Sequence, residues 1–328
     1  MEYRMIGTDP QTRREVSVLS LGAMLFGTTT DEATSYAILD RFVEAGGTFV
    51  DTSNNYAFWA DGTQGGQSEE LLGRWRRSRG IGQEIVIATK LGARPLAPGT
   101  SYVDNPEGLS AKVIRESAER SRERLGVDRL DLLYAHIEDP RTPLQETVEG
   151  FAELVAEGTV GLLGVSNHWT WRVERARRLA AAAGLPGYDV LQYRYSYLRP
   201  RADIPGQLSP DGNQGVVSGD LLSYLREEQD LTLVAYNPLL SGGYVRKDKP
   251  LGPEYDHAGT VRRMEALREV ATETGATLNQ VALAWLMGGD VPVVPLVGAS
   301  SVAQLDESLA AVGLKLTSTQ RAGLDAAS

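Results

Sequence analysis

Apolar residues along the chain fall into short β-rich runs, which alternate with stretches where they recur every three or four positions. The run "SLGAM" leads to a helical stretch at about 31–45. "TFVDT" leads to "SEELLGRWRRS", where Ser68 is placed to cap and Leu71, Leu72 and Trp75 share a face. "EIVIATK" leads to a helix starting near Ser110, with Glu116, Glu119 and Arg120 on its charged face. "LDLLYAH" is followed by "TPLQETVEGFAELVAEG", with Pro143 near the helix start and Gly158 just past its end. "TVGLLGVSN" precedes an Arg/Ala-rich helix at about 169–183. "DVLQY", "LTLVAYNP" and "VPVVPLVGAS" read as further strands, with helices near 217–229, 260–287 and 301–311.

Strands that alternate with helices pair in parallel, because each helix supplies the crossover. About eight such units without a linker predict an α/β fold, the closed (β/α)8 TIM barrel. The opening residues that precede the alternation are expected to form a short N-terminal β-hairpin, and 1–328 to make one domain. A doubly wound sheet is disfavoured, since no G-x-G-x-x-G follows the first strand. "RPLAPGTSYVDNPEG" and "YLRPRADIPGQLSPDGNQG" read as long loops.

Composition narrows the partners. The formal charge is −10 over 328 residues and no Lys/Arg stripe accumulates, so nucleic acid is not an expected ligand. With no cysteine there are no disulfides, thiolate zinc sites or cysteine nucleophiles, and no metal site is expected. The start "MEYRMIGTDPQTRREV" has no apolar core of a signal peptide, and no uncharged stretch approaches the ~20 residues of a membrane helix. The expected setting is the cytoplasm, with no membrane partner. Oligomeric state is not legible.

Chemistry is concentrated where strands end. In "DTSNNY", turn chemistry accounts for Asp51, Ser53, Asn54 and Asn55, whose side chains bond nearby backbone groups, but not for Tyr56. Asp51 ends the second strand, Lys90 the third and His136 the fourth, so in a barrel all of them face one mouth together with Tyr56. Taken singly, each has a bland reading as a cap, a packing residue, a solvated strand end or a core histidine. Jointly those readings require four coincidences on three successive strands.

The ordered set of segments resembles the aldo-keto reductase family from "YRMIG" to "VAQLDESL". "DTSNNY" is similar to the family's D-T-A-x-x-Y, "IATK" to its strand-ending lysine, and "LYAHIEDPRTPLQET" to its fourth strand. "GLLGVSN", "LQYRYS", "LVAYNPLLSGG", "LNQVALAWLM" and "VVPLVGASSVAQLDES" follow in the family's order. The resemblance implies NAD(P)H-dependent reduction of an aldehyde or ketone, with an aryl aldehyde, a sugar or a sugar-derived ketone fitting equally. It assigns Tyr56 as proton donor, Lys90 as the cation that lowers the phenol's pKa, Asp51 as the lysine's anchor and His136 as the residue that orients the carbonyl.

The same resemblance implies a nicotinamide cofactor held without a dinucleotide-binding fold. NADPH is expected, with NADH possible. Ser166, Asn167 and Gln192 match carboxamide positions, and Tyr236 the aromatic that stacks on the ring. Asn237, Leu239, Ser241 and Gly242 match the pyrophosphate side, and Gly298, Ser300, Gln304, Glu307 and Ser308 the adenosine-phosphate end. Gly22, Ala23 and Met24 on the first strand, with Asp51, complete that set.

Three departures stand out. Ala57 occupies a position where many relatives have glycine, and the longer loop after it should hang Phe58 and Trp59 beside the carbonyl pocket. "GASS" lacks the arginine that many relatives place against the 2′-phosphate, which narrows the margin of NADPH over NADH. "GTVGLLGVSN" lacks the usual flanking basic residues. Tyr195, Tyr197 and Arg199 in the sixth loop are further candidates for substrate contact. Two other readings stay open: a cofactor-binding regulatory subunit like the family's channel β subunit, and a Schiff-base aldolase using Lys90.

Overall fold

A computed structural model describes residues 1–61, 65–97 and 99–327. Strands β1 (Tyr3–Ile6) and β2 (Arg14–Ser17) form an antiparallel hairpin. The barrel strands are β3 (Ser20–Gly22), β4 (Phe49–Asp51), β5 (Val86–Leu91), β6 (Leu130–Ala135), β7 (Val160–Ser166), β8 (Val190–Arg194), β9 (Thr232–Tyr236) and β10 (Val293–Gly298). They close in the order β10-β3-β4-β5-β6-β7-β8-β9, with every pair parallel. The expected (β/α)8 barrel with its N-terminal hairpin is the observed fold.

Two apolar layers follow from the two-residue period of strands. Phe49, Val86, Ala88, Leu132, Leu162, Val190, Val234 and Val294 point inward and fill the barrel, and Ile6 and Val16 of the hairpin join this cluster. Val50, Ile87, Leu133, Leu163, Leu191 and Leu233 point outward against the helices. Tyr134 also points inward from β6. It fits because its ladder partner is Gly164, where a Cβ would stand 2.4 Å from the Tyr134 ring.

The crossover helices are α1 (Glu32–Glu44), α3 (Gln67–Arg79), α4 (Ala111–Leu125), α5 (Leu144–Ala156), α6 (Thr170–Ala182), α7 (Gly219–Glu227), α9 (Leu278–Met287) and α10 (Val302–Ala310). Three helical features differ from the sequence reading. Ser68 is not the cap of α3; Gly66 is, and the Ser68 hydroxyl instead donates to the Ala23 carbonyl at 2.7 Å. The single helix expected over 260–287 is two, α8 (Ala258–Thr274) and α9. Gly275 in the left-handed region ends the first, and a reciprocal Thr277–Gln280 capping box starts the second. Short helices at α2 (Phe58–Asp61) and α11 (Ser318–Ala326) lie in segments that the pattern had left without an element.

Candidate active site

Inward parity decides which strand residues share the mouth. Asp51 is in phase with Phe49, Lys90 with Val86 and Ala88, and His136 with Leu132 and Tyr134, so all three emerge on the inner face at the C-terminal end. Ser166, Gln192 and Tyr236 follow the same parity on β7, β8 and β9.

Lys90 is fully buried, and its Nζ donates to three oxygens: the Asp51 carboxylate, the Thr52 carbonyl at 2.7 Å and the Tyr56 hydroxyl at 2.8 Å. Three donated bonds require three protons, so the group is an ammonium. Asp51 is held on its other oxygen by Gln192 Nε2 at 2.8 Å. Burial pushes the Asp51 carboxyl up and the Lys90 ammonium down, and their contact opposes both shifts.

The sequence reading had Lys90 lowering the Tyr56 phenol. The balance runs the other way: burial raises the phenol well above its ordinary value, and the Asp51 carboxylate adds to the rise. Tyr56 therefore keeps its proton. Its oxygen accepts from Lys90, and among the described residues its own hydrogen has only Asp51 Oδ1, at 3.5 Å, as an acceptor.

His136 meets Tyr56 edge to face, with ring centroids 5.9 Å apart, and its Nδ1 lies 3.1 Å from Ser53 Oγ. Burial, with the Lys90 charge secondary, holds the imidazole well below its usual pKa, so it is neutral.

The residues matched to a nicotinamide keep capacity for an amide. Ser166 donates its hydroxyl to the Gln192 carbonyl at 2.8 Å and accepts from Asn167 Nδ2 at 3.0 Å. Asn167, at φ 58°, also donates to the His136 carbonyl and accepts from the Tyr236 hydroxyl at 2.9 Å. Spare lone pairs on Ser166 and Asn167 suit an amide N–H.

At the other end, Asn237, Leu240 and Ser241 all have positive φ, and Asn237 Oδ1 accepts from the Ser241 N–H at 2.9 Å, which gives a tightly curled turn beside Leu239 and Gly242. Helix α10 starts with no acidic residue in its first turn. Ser300 donates both its N–H (2.9 Å) and its hydroxyl (3.0 Å) to Gln304 Oε1. Such a helix start accommodates a phosphate, and Gly298 leaves room beside it, with nothing within 4 Å of its position for a Cβ. Glu307 is turned to α9, accepting from Thr277 and Asn279, and the Ser308 hydroxyl donates to the Gln304 carbonyl. On β3, Gly22 pairs with Asp51, the Ala23 N–H bonds the Asp51 carbonyl at 2.8 Å, and Met24 is exposed.

Phe58 and Trp59 sit on α2, which starts after the one residue, Ala57, that follows the tyrosine. Phe58 packs edge-on against both Trp59 and Tyr102, and Trp59 is 51% exposed. Tyr102 Oη reaches Gln207 Oε1 at 3.4 Å, so the Tyr102 loop bridges to the sixth-strand loop. Ala57 adopts φ 65°, a left-handed conformation that favours glycine, while fully buried. Gly62, in the same loop, lies outside the described residues. Tyr195 and Tyr197 are not at the mouth. Both pack on Trp285 of α9, Tyr197 donates to the Leu324 carbonyl, and Arg199 stacks on Tyr195.

The sequence reading missed Glu107, a buried carboxylate from a Pro/Gly loop. It accepts from Asn54 Nδ2 (2.7 Å), the Gly92 N–H (2.8 Å), Arg94 Nε (3.1 Å) and Ser117 Oγ (2.9 Å), tying the turn before Tyr56 to the end of β5 just after Lys90. The local signal was a Glu flanked by Pro106 and Gly108, which reads as an ordinary loop. Among the described residues no three His, Cys, Asp or Glu side chains are grouped to hold a metal ion, and no helix is long and apolar enough to cross a membrane.

A parallel barrel with a buried Asp–Lys–Tyr chain and a neutral histidine at its C-terminal mouth is the architecture of a barrel oxidoreductase. The chain belongs to the aldo/keto reductase family, whose profile matches residues 18–328 and whose chemistry is NAD(P)H-dependent carbonyl reduction. It is 31% identical over 324 residues to the uncharacterized oxidoreductase YrpG of Bacillus subtilis, spanning 96% of this chain and 92% of that protein. It is 32% identical over 320 residues to norsolorinic acid reductase stcV of Emericella nidulans, spanning 92% and 76%. The thermostable aldo-keto reductase Tm1743, solved with the inhibitor epalrestat, shares the fold with a TM-score of 0.75 at 24% identity over 100% of both chains.

Proposed function

We propose that the protein reduces an aldehyde or ketone to the alcohol in the cytoplasm, with NADPH as cofactor and Tyr56 as proton donor. The observation that carries this reading is the saturation of Lys90. Its three protons are committed to Asp51, Thr52 and Tyr56, so the phenol's own hydrogen is the one left to serve the mouth.

Bound nicotinamide supplies the hydride. Ser166, Asn167, Gln192 and Tyr236 would hold that ring, and the turn around Asn237 and the start of α10 its phosphates. As the carbonyl carbon is reduced, the oxygen gains charge, the Tyr56 proton moves to it, and the phenolate left behind faces the Lys90 ammonium. Asp51 and Gln192 keep the ammonium in place. Because the same buried ammonium has no lone pair and no access to the mouth, Lys90 is unsuited to form a Schiff base.

The substrate side is framed by Phe58, Trp59 and Tyr102, an aromatic rim that suits an aryl aldehyde, a sugar or a sugar-derived ketone. The test is fluorescence titration with NADPH and NADH, followed by a carbonyl panel that includes norsolorinic acid. Cofactor binding with turnover lost in Tyr56→Phe is the expected result. Binding without turnover on any carbonyl would favour a regulatory subunit, and wild-type turnover in Tyr56→Phe would remove Tyr56 as the acid.

A further inference from the structure

The N-terminal end of the barrel, opposite the mouth, holds an arginine that its surroundings do not satisfy. Arg4 stands on β1 across from Val16 and two residues before Ile6, and both of those side chains join the cluster that fills the barrel. The two-residue period of a strand turns Arg4 to the same, barrel-facing side of the hairpin. Its Nε and Nη1 are buried, with no hydrogen-bond acceptor among the described residues. An arginine that only covers apolar surface leaves its head in water. Here burial holds the guanidinium below its ordinary pKa, and the Glu2 charge opposes that shift only in part. Glu2 is itself engaged, accepting from the Lys315 ammonium.

Arg4 lines a cavity of about 150 Å³ where the hairpin meets the end of α9 and the segment after α10. Lys315 and Arg321 share its wall, so three cations face the single carboxylate of Glu2 in a chain whose net charge is −10. Arg321 is anchored there by the bond from its Nη2 to the Trp285 carbonyl at 2.6 Å. Much of the remaining wall is apolar, supplied by residues such as Val18, Met287, Val312 and Leu316. An inorganic anion gains nothing from such a wall, whereas an anion with an apolar body gains from both surfaces.

We propose that this cavity is a binding site for a small organic carboxylate with an apolar body of about six carbons, the size that a cavity of such volume admits. The carboxylate takes charge-assisted bonds from Arg4, whose guanidinium turns toward the cavity to give them. Lys315 and Arg321 add favourable charge, and the body packs on Val18 and Leu316. Bound there, the ligand ties the hairpin to α9 at the far end of the barrel from Tyr56. The site is independent of the carbonyl chemistry at the mouth.

The test is thermal melting and calorimetric titration of the full chain with sodium hexanoate, with hexan-1-ol, hexylamine and inorganic phosphate as matched probes. Hexanoate should raise Tm by on the order of 5 °C at about a hundred times its Kd, and the other three should not. Arg4→Met should weaken hexanoate binding by about tenfold or more. Without ligand it should melt no lower than the wild type, because it removes a buried cation that has no partner. Should that variant fail to fold, Arg321→Gln carries the test, with hexanoate binding weakened several-fold.

Tyr56→Phe separates this site from the mouth, and hexanoate should bind it as tightly as it binds the wild type. Binding lost in Tyr56→Phe and kept in Arg4→Met would put the carboxylate at the mouth and overturn the inference. An equal response to hexan-1-ol, which needs no cation, or to phosphate, which needs no apolar wall, would overturn it too. So would unchanged affinity in Arg4→Met and Arg321→Gln, or no response to hexanoate at millimolar concentrations.

Discussion

Lys90 Nζ lies 2.8 Å from the Tyr56 oxygen and 4.6 Å from the centre of its ring, so one buried cation serves the phenol as both hydrogen-bond donor and ring neighbour. Removing the charge should leave Asp51 buried without a counter-ion and Tyr56 without the partner that receives its phenolate. Lys90→Met is expected to lower the reduction rate by roughly 10²–10⁴-fold with nearly unchanged NADPH affinity. Stopped-flow reduction and fluorescence titration measure the two separately.

The direction of the Tyr56 shift sets a pH profile. On the proposed mechanism the protonated phenol is the active form, and its pKa is raised well above the ordinary value of 10. Activity should therefore be lost only as pH rises through that raised value, leaving the reduction rate level from about pH 6 to about pH 9. A fall beginning near pH 7 or 8 in single-turnover measurements would show a phenol lowered by Lys90 instead.

Ser300→Arg should raise the affinity for NADPH relative to NADH. In the wild type the Ser300 N–H and hydroxyl both point to Gln304 Oε1, leaving the start of α10 without a guanidinium for a phosphate. A bidentate arginine adds phosphate-specific contacts that a serine lacks. The ratio of the two dissociation constants measures this, and an unchanged ratio would show that the phosphate lies elsewhere.

Glu107→Ala should cost stability on the order of 3–5 kcal/mol, because it strips a buried carboxylate from Arg94 and leaves the Asn54 amide and the Gly92 N–H without their acceptor. Thermal melting reports the loss. Since Glu107 joins the Tyr56 turn to the end of β5, kcat should fall as well, measured below the melting range.

Asp189 gives a test with a definite sign. Burial, and then the Asp230 charge, raise its carboxyl to about 6, so the folded state binds this proton more tightly than the unfolded chain does. That preference makes stability fall as pH climbs from about 4 to about 6, after which the cost is constant. Asp189→Asn removes the cost and should be more stable than wild type by on the order of 1–2 kcal/mol at about pH 8, with the gap closing toward pH 4. Melting curves across that range check it; a gap independent of pH would assign the effect to packing.

The sequence by itself determined the barrel and the identities at its mouth. Two-residue alternation in "TFVDT", "EIVIATK" and "LDLLYAH" places Asp51, Lys90 and His136 on one parity, and parity is local information carried by each strand. The split between α8 and α9 was legible in principle, since Gly275 and the Thr277–Gln280 pair are local stop and start signals.

Tertiary structure decided the quantities that depend on several chain segments at once. Whether Lys90 lowers the Tyr56 phenol or burial raises it depends on the desolvation imposed by the whole barrel, which no motif encodes. Tyr195 and Tyr197 sit in the loop after β8, yet their rings turn outward to Trp285, a residue 88 positions beyond Tyr197. Glu107 looks like a loop residue until Asn54, Gly92, Arg94 and Ser117 close around it. Such a cluster is legible only in three dimensions, because the groups that satisfy one carboxylate come from separate stretches of chain.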